Sequence, residues 1–115
     1  MNNEQSITVE LLDSQGLGSA SECLKLLAHP VRLQLINILL QCELPVNRLA
    51  QLCDLPPHQT CEHLRLMLGH GLLSSRREGR NVMYSIAAPH LVDILECVRK
   101  GCSAHRAAEN RMERS

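Results

Sequence analysis

The chain has 115 residues, with 12 basic and 12 acidic side chains that cancel in formal charge. A chain of this length forms one domain with one modest core. The neutral sum argues against nucleic acid as a partner, because domains that neutralise phosphates are usually basic. Leucine occurs 21 times, Trp and Phe are absent, and Tyr84 is the only aromatic residue. This composition favours leucine-packed helices over a β-sandwich.

The sequence also bears on the compartment. No apolar stretch approaches the roughly 18 residues that a membrane span needs. The first 22 residues carry four acids and no Lys or Arg, the opposite of the charged start of a signal peptide. We therefore expect a cytoplasmic protein with no membrane partner. Its six cysteines include no CxxC pair, and in a reducing compartment we expect thiols or ligands and not disulfides.

The N-terminal third predicts an arm and two helices. Residues 1–18 are polar, and we interpret them as a loose arm or a frayed helix. Ser19 is followed three residues later by a glutamate, the spacing of a capping box, which predicts a first helix from about Ser19 to Ala28. Pro30 suits the first turn of a second helix, which is expected to run to about Gln41.

The middle of the chain predicts a helix-turn-helix. A short third helix is expected from Pro45 to Cys53, with Val46, Leu49 and Leu52 at positions i, i+3 and i+6. A fourth helix begins at about Pro57, and Gly69 and Gly71 end it. Two helices joined by a four-residue turn are typical of this motif.

A β-hairpin and a last helix follow. In Val82, Tyr84 and Ile86 apolar residues alternate with their neighbours, and Gly79 supplies a turn, so residues 72–86 predict a wing. The fifth helix is expected from Pro89 to about Gly101, with 104–115 as a polar tail. The predicted fold is therefore mainly α with a small β-hairpin. It is a winged helix-turn-helix over residues 19–103, with about five helices and a two-stranded wing.

The exposed face of the fourth helix carries polar side chains near its N-terminus, which is what base reading in a groove requires. Gln59 is a candidate to read adenine, Thr60 to contact a thymine methyl or a phosphate, and Arg65 to reach the backbone or a guanine. Residues 65–80 contain four arginines and one acid, so the charge is locally positive. The candidate DNA-binding residues are His58, Gln59, Thr60, Cys61, His63, Arg65, Arg76, Arg77 and Arg80.

Five short runs resemble signature segments of the ArsR/SmtB family of winged-helix repressors. They are Leu24–Leu33, His63–Met67, Gly71–Leu73, Arg77–Arg80 and Tyr84–Ile86. The resemblance covers about Ser19 to Cys102. It implies a homodimer formed through the first and last helices and two recognition helices in successive major grooves of a pseudo-palindromic operator. It also implies release from the DNA when an inducer binds.

The family's metal sites are only partly matched. Members that bind soft metals on the first helix of the helix-turn-helix carry a CxC pair where this chain has Pro45 and Asn47. In members that bind zinc-like metals along the last helix, the first ligand is an Asp, and Ala88 stands in its place. His90 matches a ligand, whereas Cys102 and His105 each lie one position beyond the distal pair.

Persulfide-responsive members of the family offer a second chemistry. They carry a cysteine near the end of the last helix, which Cys102 approximates, and a partner cysteine on the second helix, where this chain has Asn37. Cys97 and Cys102 lie about 140° apart around a helix, so they converge only if a dimer relaxes that geometry. The candidate metal or redox residues are Cys97, Cys102, His105, Cys42 and His90.

The sequence therefore predicts a homodimeric repressor that a thiol-directed signal releases from operator DNA. A thiophilic metal or metalloid ion bound by cysteines is the first interpretation of the signal, and redox or persulfide sensing is the alternative. A second alternative is a winged-helix interaction module without DNA binding, which the neutral charge and Glu62 favour. An enzyme is not expected, because His58 and Cys61 lie one turn apart with no third orienting group.

Overall fold

The computed structural model describes residues 7–114, with side chains over 7–112. Five helices and three strands follow one another along the chain. They are α1 (Ser14–Leu27), α2 (Pro30–Leu39), β1 (Leu44–Pro45), α3 (Val46–Cys53), α4 (Pro57–Gly69), β2 (Leu73–Glu78), β3 (Asn81–Ile86) and α5 (Leu91–Arg114). The predicted winged helix-turn-helix is confirmed, with its elements in the predicted order.

Helix α1 begins five residues before the predicted start, so the prediction that Ser19 caps it is wrong. Asp13 is the N-cap, and its Oδ2 accepts a hydrogen bond of 2.9 Å from the Gly16 N–H. Ser19 lies inside the helix and is exposed. A carboxylate at the N-cap also interacts favourably with the helix dipole, which explains why Asp13 is the stronger start signal. Residues 1–6 of the predicted arm lie outside the described residues.

The helix-turn-helix is formed by α3 and α4 with a sharp turn between them. Asp54 ends α3 in the left-handed conformation, at φ 55° and ψ 51°, and the Leu55 N–H donates to the Ala50 carbonyl over 3.0 Å. Aspartate tolerates this region better than most residues do. Leu49 is fully buried, whereas Leu52, the last residue of the predicted apolar spacing, is 54% exposed.

The wing has one strand more than predicted. Strands β2 and β3 pair in antiparallel register from Leu73↔Ile86 to Glu78↔Asn81, and Gly79 turns the chain at φ 62°. The two-residue strand β1 adds to the other edge of β3, with Leu44 opposite Tyr84. The sheet therefore links the helix-turn-helix directly to the wing.

Helix α5 continues well past the predicted end at Gly101. It runs to Arg114, so most of the predicted C-terminal tail is helical, with Ser115 outside the described residues. At 24 residues it is about 36 Å long. Leu91 and Leu95 are buried in the body, whereas the residues after Val98 are almost all exposed. A glycine inside a helix costs only about 1 kcal/mol relative to alanine, which is not enough to end this one.

The core is built from leucine and includes the single tyrosine. Its buried apolar members are Leu26, Leu27, Leu35, Ile36, Leu39, Leu49, Leu64, Met67, Leu72, Leu73, Tyr84, Ala88, Leu91 and Leu95. Over residues 7–114, no helix is both long enough and apolar enough to cross a membrane.

Substitution of each of the two candidate N-cap residues tests where α1 begins. Asp13→Ala removes the side-chain bond to Gly16, and we expect it to lower the free energy of unfolding by about 1 kcal/mol. The matched substitution Ser19→Ala removes no hydrogen bond among the described residues and places the best helix former inside the helix. Urea unfolding at fixed protein concentration measures both, and a larger loss for Ser19→Ala would contradict this start of α1.

Candidate nucleic-acid interface

The rotation of α4 about its axis decides which side chains are available to a duplex. Thr60, Leu64 and Met67 are fully buried and lie on one face of the helix. His58, Gln59 and three further residues of α4, namely Glu62, Arg65 and Leu66, are exposed. The exposed face is therefore polar at the N-terminal end of the helix, as base reading requires.

The prediction that the Thr60 side chain contacts DNA is wrong. Thr60 is 0% exposed, and its Oγ1 donates to the Pro56 carbonyl over 3.2 Å. The methyl group of threonine fills core volume while the hydroxyl bonds back to the preceding turn, which is common for threonine in helices. Position 60 therefore holds α4 against the body.

Cys61 is half-buried and lies near the Tyr84 side chain of the wing sheet. Burial raises the pKa of Tyr84, the neighbouring Cys61 raises it further, and Arg65 lowers it. Cys61 is therefore only partly available to a duplex.

The three wing arginines are not equivalent. Arg76 Nη2 lies 2.6 Å from Glu43 Oε1, and its Nη1 bonds to Glu78. These two hydrogen bonds, with Glu78 contributing most, raise the pKa of Arg76. Glu43 lies between α2 and β1, so the contact joins the wing to the loop that leads into the helix-turn-helix.

Arg77 and Arg80 are exposed and form no ion pair within residues 7–112. Arg77 is paired in register with Val82 and, because alternate residues share a sheet face, lies on the same face as Tyr84. Arg80 lies in the hairpin turn. The two free arginines of the wing and Arg65 of α4 therefore carry positive charge that no described carboxylate neutralises.

A shallow concave surface lies beside the exposed face of α4. It is lined by Arg32, Gln59, Glu62, His63, Arg65 and Leu66. Sequence reasoning missed Arg32, which comes from α2. Arg32 lies in the run Leu24–Leu33, which resembles a family segment. That resemblance does not indicate what the guanidinium contacts.

His63 is half-buried, and one nitrogen of its ring is already engaged. Its Nδ1 accepts a hydrogen bond of 3.1 Å from Arg32 Nε, and its ring lies 4.8 Å from the His29 ring. Burial lowers the pKa of His63, His29 and Arg32 lower it further, and Glu62 opposes them. The predicted base contact of His63 is therefore limited to Nε2.

The candidate metal and redox residues are spread over the molecule. Cys42, Cys97 and Cys102 are exposed free thiols. His105 lies 3.2 Å from Glu109 on its own helix, and His90 Nε2 lies 4.0 Å from the sulfur of Cys23. Burial raises the pKa of Cys23, which disfavours the thiolate that metals bind.

These residues do not fit a metal ion within one subunit. Among residues 7–112, no group of three His, Cys, Asp or Glu side chains lies close enough to hold one.

The second-helix residue Asn37 accepts two hydrogen bonds from Arg99 of α5, at 3.1 and 2.8 Å, which tie the two helices together. Cys102 lines the groove between the same helices.

Known proteins with similar sequences are transcriptional regulators. No protein-family model matches the chain. It is 33% identical over 86 residues to the transcriptional repressor PagR of Bacillus anthracis, covering 74% of this chain and 86% of that one. It is 32% identical over 79 residues, 69% of this chain, to the repressor SmtB of Mycobacterium tuberculosis. That match spans 58% of the SmtB length.

Solved structures that resemble the chain lead to the same class of protein, the transcriptional regulators. Reduced HlyU from Vibrio cholerae superposes with a TM-score of 0.70 at 27% identity, covering 75% of this chain and 90% of that one. HlyU of that organism is a transcriptional activator. A homodimeric winged helix-turn-helix DNA-binding domain from Mycobacterium bovis, a possible ArsR-family regulator, gives a TM-score of 0.69 at 25% identity. The match covers 85% of this chain and 93% of that domain.

Proposed function

The chain belongs to the ArsR/SmtB family of winged helix-turn-helix transcriptional regulators, and from this premise we propose that it is a homodimeric repressor of transcription. In this proposal α4 reads the major groove of an operator duplex, the β2–β3 wing contacts the adjacent backbone, and a thiol-directed signal releases the protein.

One observation carries the DNA-binding half of the proposal. The exposed polar face of α4 and the two unpaired wing arginines belong to elements that pack directly on each other. Gln59 and Arg65 supply the hydrogen-bonding groups that read base edges, while Arg77 and Arg80 supply charge for phosphates. A duplex that lies against α4 therefore meets positive charge beside it.

The neutral total charge is compatible with this interface because the charges are segregated. Glu10, Asp13 and Glu22 lie in or before α1, at the other end of the chain from the wing. Exposed charges separated by more than about 10 Å are largely screened at 0.1 M salt. Even with Glu62 on the same face of α4, the arginines Arg65, Arg77 and Arg80 leave a local positive surplus, and this surplus sets the attraction to phosphate.

Repression is favoured over activation by the names of the relatives. PagR and SmtB are repressors, whereas HlyU is an activator. A repressor needs only to occupy its operator. An activator also needs a surface for the transcription machinery.

Two features support dimerisation through α1 and α5. Leu17 and Leu24, 47% and 56% exposed, lie two turns apart on one face of α1. The second half of α5 projects from the body, and the Cα radius of gyration of 19.0 Å exceeds the roughly 13 Å of a compact chain of this length. A second copy packed on α1 and α5 would cover the exposed leucines and give the projecting helix a surface to contact.

The exposed thiols support a thiol-directed signal. Cys97 and Cys102 lie on α5, the helix that we assign to the dimer interface, so their modification would act on the relative placement of the two subunits. Since no three ligands converge within the described part of one subunit, a metal ion would need ligands from both. Redox or persulfide chemistry needs only the thiols, and one structural neighbour is named for its reduced state.

Removal of the free wing charges tests DNA binding. The probe is a duplex recovered by in vitro selection from a random-sequence pool, called the selected duplex below. Arg77→Ala with Arg80→Ala removes two phosphate contacts from each subunit, four in the proposed dimer, so we expect the slope of log affinity against log salt to fall in magnitude by about 4. Lys100→Ala with Arg111→Ala is the matched control, since it removes the same charge from α5. Anisotropy that shows no salt-dependent binding to any duplex would favour an interaction module instead.

Substitution of an exposed leucine tests the dimer. Leu24→Asp buries a charge in the proposed interface, at a cost that interfaces rarely tolerate, and we expect it to convert dimers to monomers at micromolar concentration. Leu52→Asp is the matched control, because Leu52 is 54% exposed on α3, away from this face. Sedimentation velocity measures both, and an intact dimer in Leu24→Asp would contradict the assignment.

Serine substitution of the α5 thiols tests the signal. We expect the wild type to lose about tenfold in affinity for the selected duplex when it is treated with cadmium chloride, zinc chloride or a persulfide donor. Cys97→Ser with Cys102→Ser should abolish that loss. Cys53→Ala should retain it, because burial raises the pKa of this thiol and keeps it protonated. An unchanged response in the double variant would refute the role of these two thiols.

A further inference from the structure

Three side chains from three parts of the chain meet at one corner, beside the exposed face of α4. Arg32 of α2 donates through Nε to His63 of α4 over 3.1 Å, and through Nη1 to the Leu26 carbonyl of α1 over 3.0 Å. His29, between α1 and α2, has its ring 4.8 Å from that of His63. We call Arg32, His29 and His63 the corner cluster.

Both imidazoles of the corner cluster use Nδ1 as an acceptor. His29 caps α2, and its Nδ1 accepts a hydrogen bond of 3.2 Å from the Val31 N–H. The Nδ1 of His63 accepts from Arg32. A ring nitrogen accepts only when it carries no proton, so the hydrogen bond from Arg32 requires a neutral His63 ring with its proton on Nε2.

The guanidinium is the centre of these contacts. Its planar fork donates in two directions at fixed angles, which the ammonium of a lysine does not reproduce. One branch satisfies a carbonyl in the last turn of α1, where helices leave acceptors without intrahelical partners. The other branch holds a residue of the helix that we assign to the major groove.

We propose that Arg32 and His63 are positioning residues, which fix the orientation of α4 relative to the end of α1 and so determine how specifically the protein reads its operator. Through Arg32, the helix assigned to the dimer interface is linked to the helix assigned to DNA, along one polar path beside the apolar core. This deepens the proposed function and rests on it.

Protonation of His63 disables the link. The ring then has no acceptor for Arg32 Nε, and two cations lie against each other beside the His29 ring. Glu62, on the same helix, is the one described carboxylate that opposes this repulsion. Burial, His29 and Arg32 all lower the pKa of His63, so the link is intact at neutral pH and is lost in acid.

Base-specific and non-specific binding respond differently to that loss. A protonated His63 adds positive charge, which strengthens attraction to any duplex. A misoriented α4 weakens only the contacts that read sequence. The ratio of the affinity for the selected duplex to that for a scrambled duplex of equal length therefore isolates the positioning role.

Four variants separate positioning from charge and from folding. His63→Asn keeps an acceptor where Nδ1 lies but does not titrate, and His63→Leu removes the acceptor. Arg32→Lys keeps the charge but loses the fork. His70→Asn is the matched control, since it removes an imidazole from the end of α4, where His70 bonds within its own helix.

The affinity ratio is measured by anisotropy at pH 7.5 and pH 5.0 at constant ionic strength. We expect the wild type and His70→Asn each to lose about tenfold more of their own pH 7.5 ratio in acid than His63→Asn loses of its own. His63→Leu and Arg32→Lys should show a ratio about tenfold below wild type at pH 7.5. A wild-type ratio in His63→Leu at pH 7.5, or wild-type acid sensitivity in His63→Asn, overturns the proposal.

A measurement without DNA separates this proposal from the proposed function. Long-range ¹H–¹⁵N correlation of the histidine rings reports which nitrogen carries the proton. We expect His63 as the Nε2–H tautomer at pH 7.5, with its titration midpoint below the ordinary imidazole value of about 6.5. If His63 is instead protonated at Nδ1, the link to Arg32 does not exist. If the tautomer is as expected but no duplex binds, the proposed function fails and the specificity role fails with it.

Discussion

The burial of one face of α4 is the constraint on which the rest of the interface depends. Thr60, Leu64 and Met67 have no exposed surface, and each buried Leu or Met side chain contributes about 1.5–3 kcal/mol. Rotation of α4 by one residue position, 100°, would carry all three side chains away from the core and bring polar ones toward it. The core contacts that set the rotation of α4 about its axis also leave Gln59 and Arg65 exposed. The same contacts therefore determine how α4 packs and which side chains it offers to DNA.

Ion pairing decides which of the three wing arginines are available to phosphate. Two carboxylates engage Arg76, one from the wing and one from the loop after α2, so this arginine joins elements while Arg77 and Arg80 remain free. The wing thus carries one structural and two available cations. This division helps to explain how a chain with no net charge presents a positive surface to phosphate: Glu43 and Glu78 are engaged with Arg76, and Glu62 is the one exposed acid on the DNA-facing side of α4.

The elements and their order could be predicted from the sequence because helical periodicity, prolines and the Gly79 turn are local signals. The errors fall where tertiary contacts override them. Strand β1 has two residues and exists only by pairing with β3, and α5 passes Gly101 because one glycine does not end a long helix. Within the site, the exposure of His58, Gln59 and Arg65 on α4 was predicted correctly. The burial of Thr60 and the engagement of Arg76 and His63 were not, because partners distant in sequence determine them.

The central claim is that α4 and the wing together form the surface that meets DNA. Amide chemical-shift changes on titration with the selected duplex test it most directly, because they report every residue at once. The account predicts the largest changes at residues 57–66 and 76–81, with small changes along residues 100–112. Changes of equal size along the outer half of α5, or none in α4 and the wing, would contradict it.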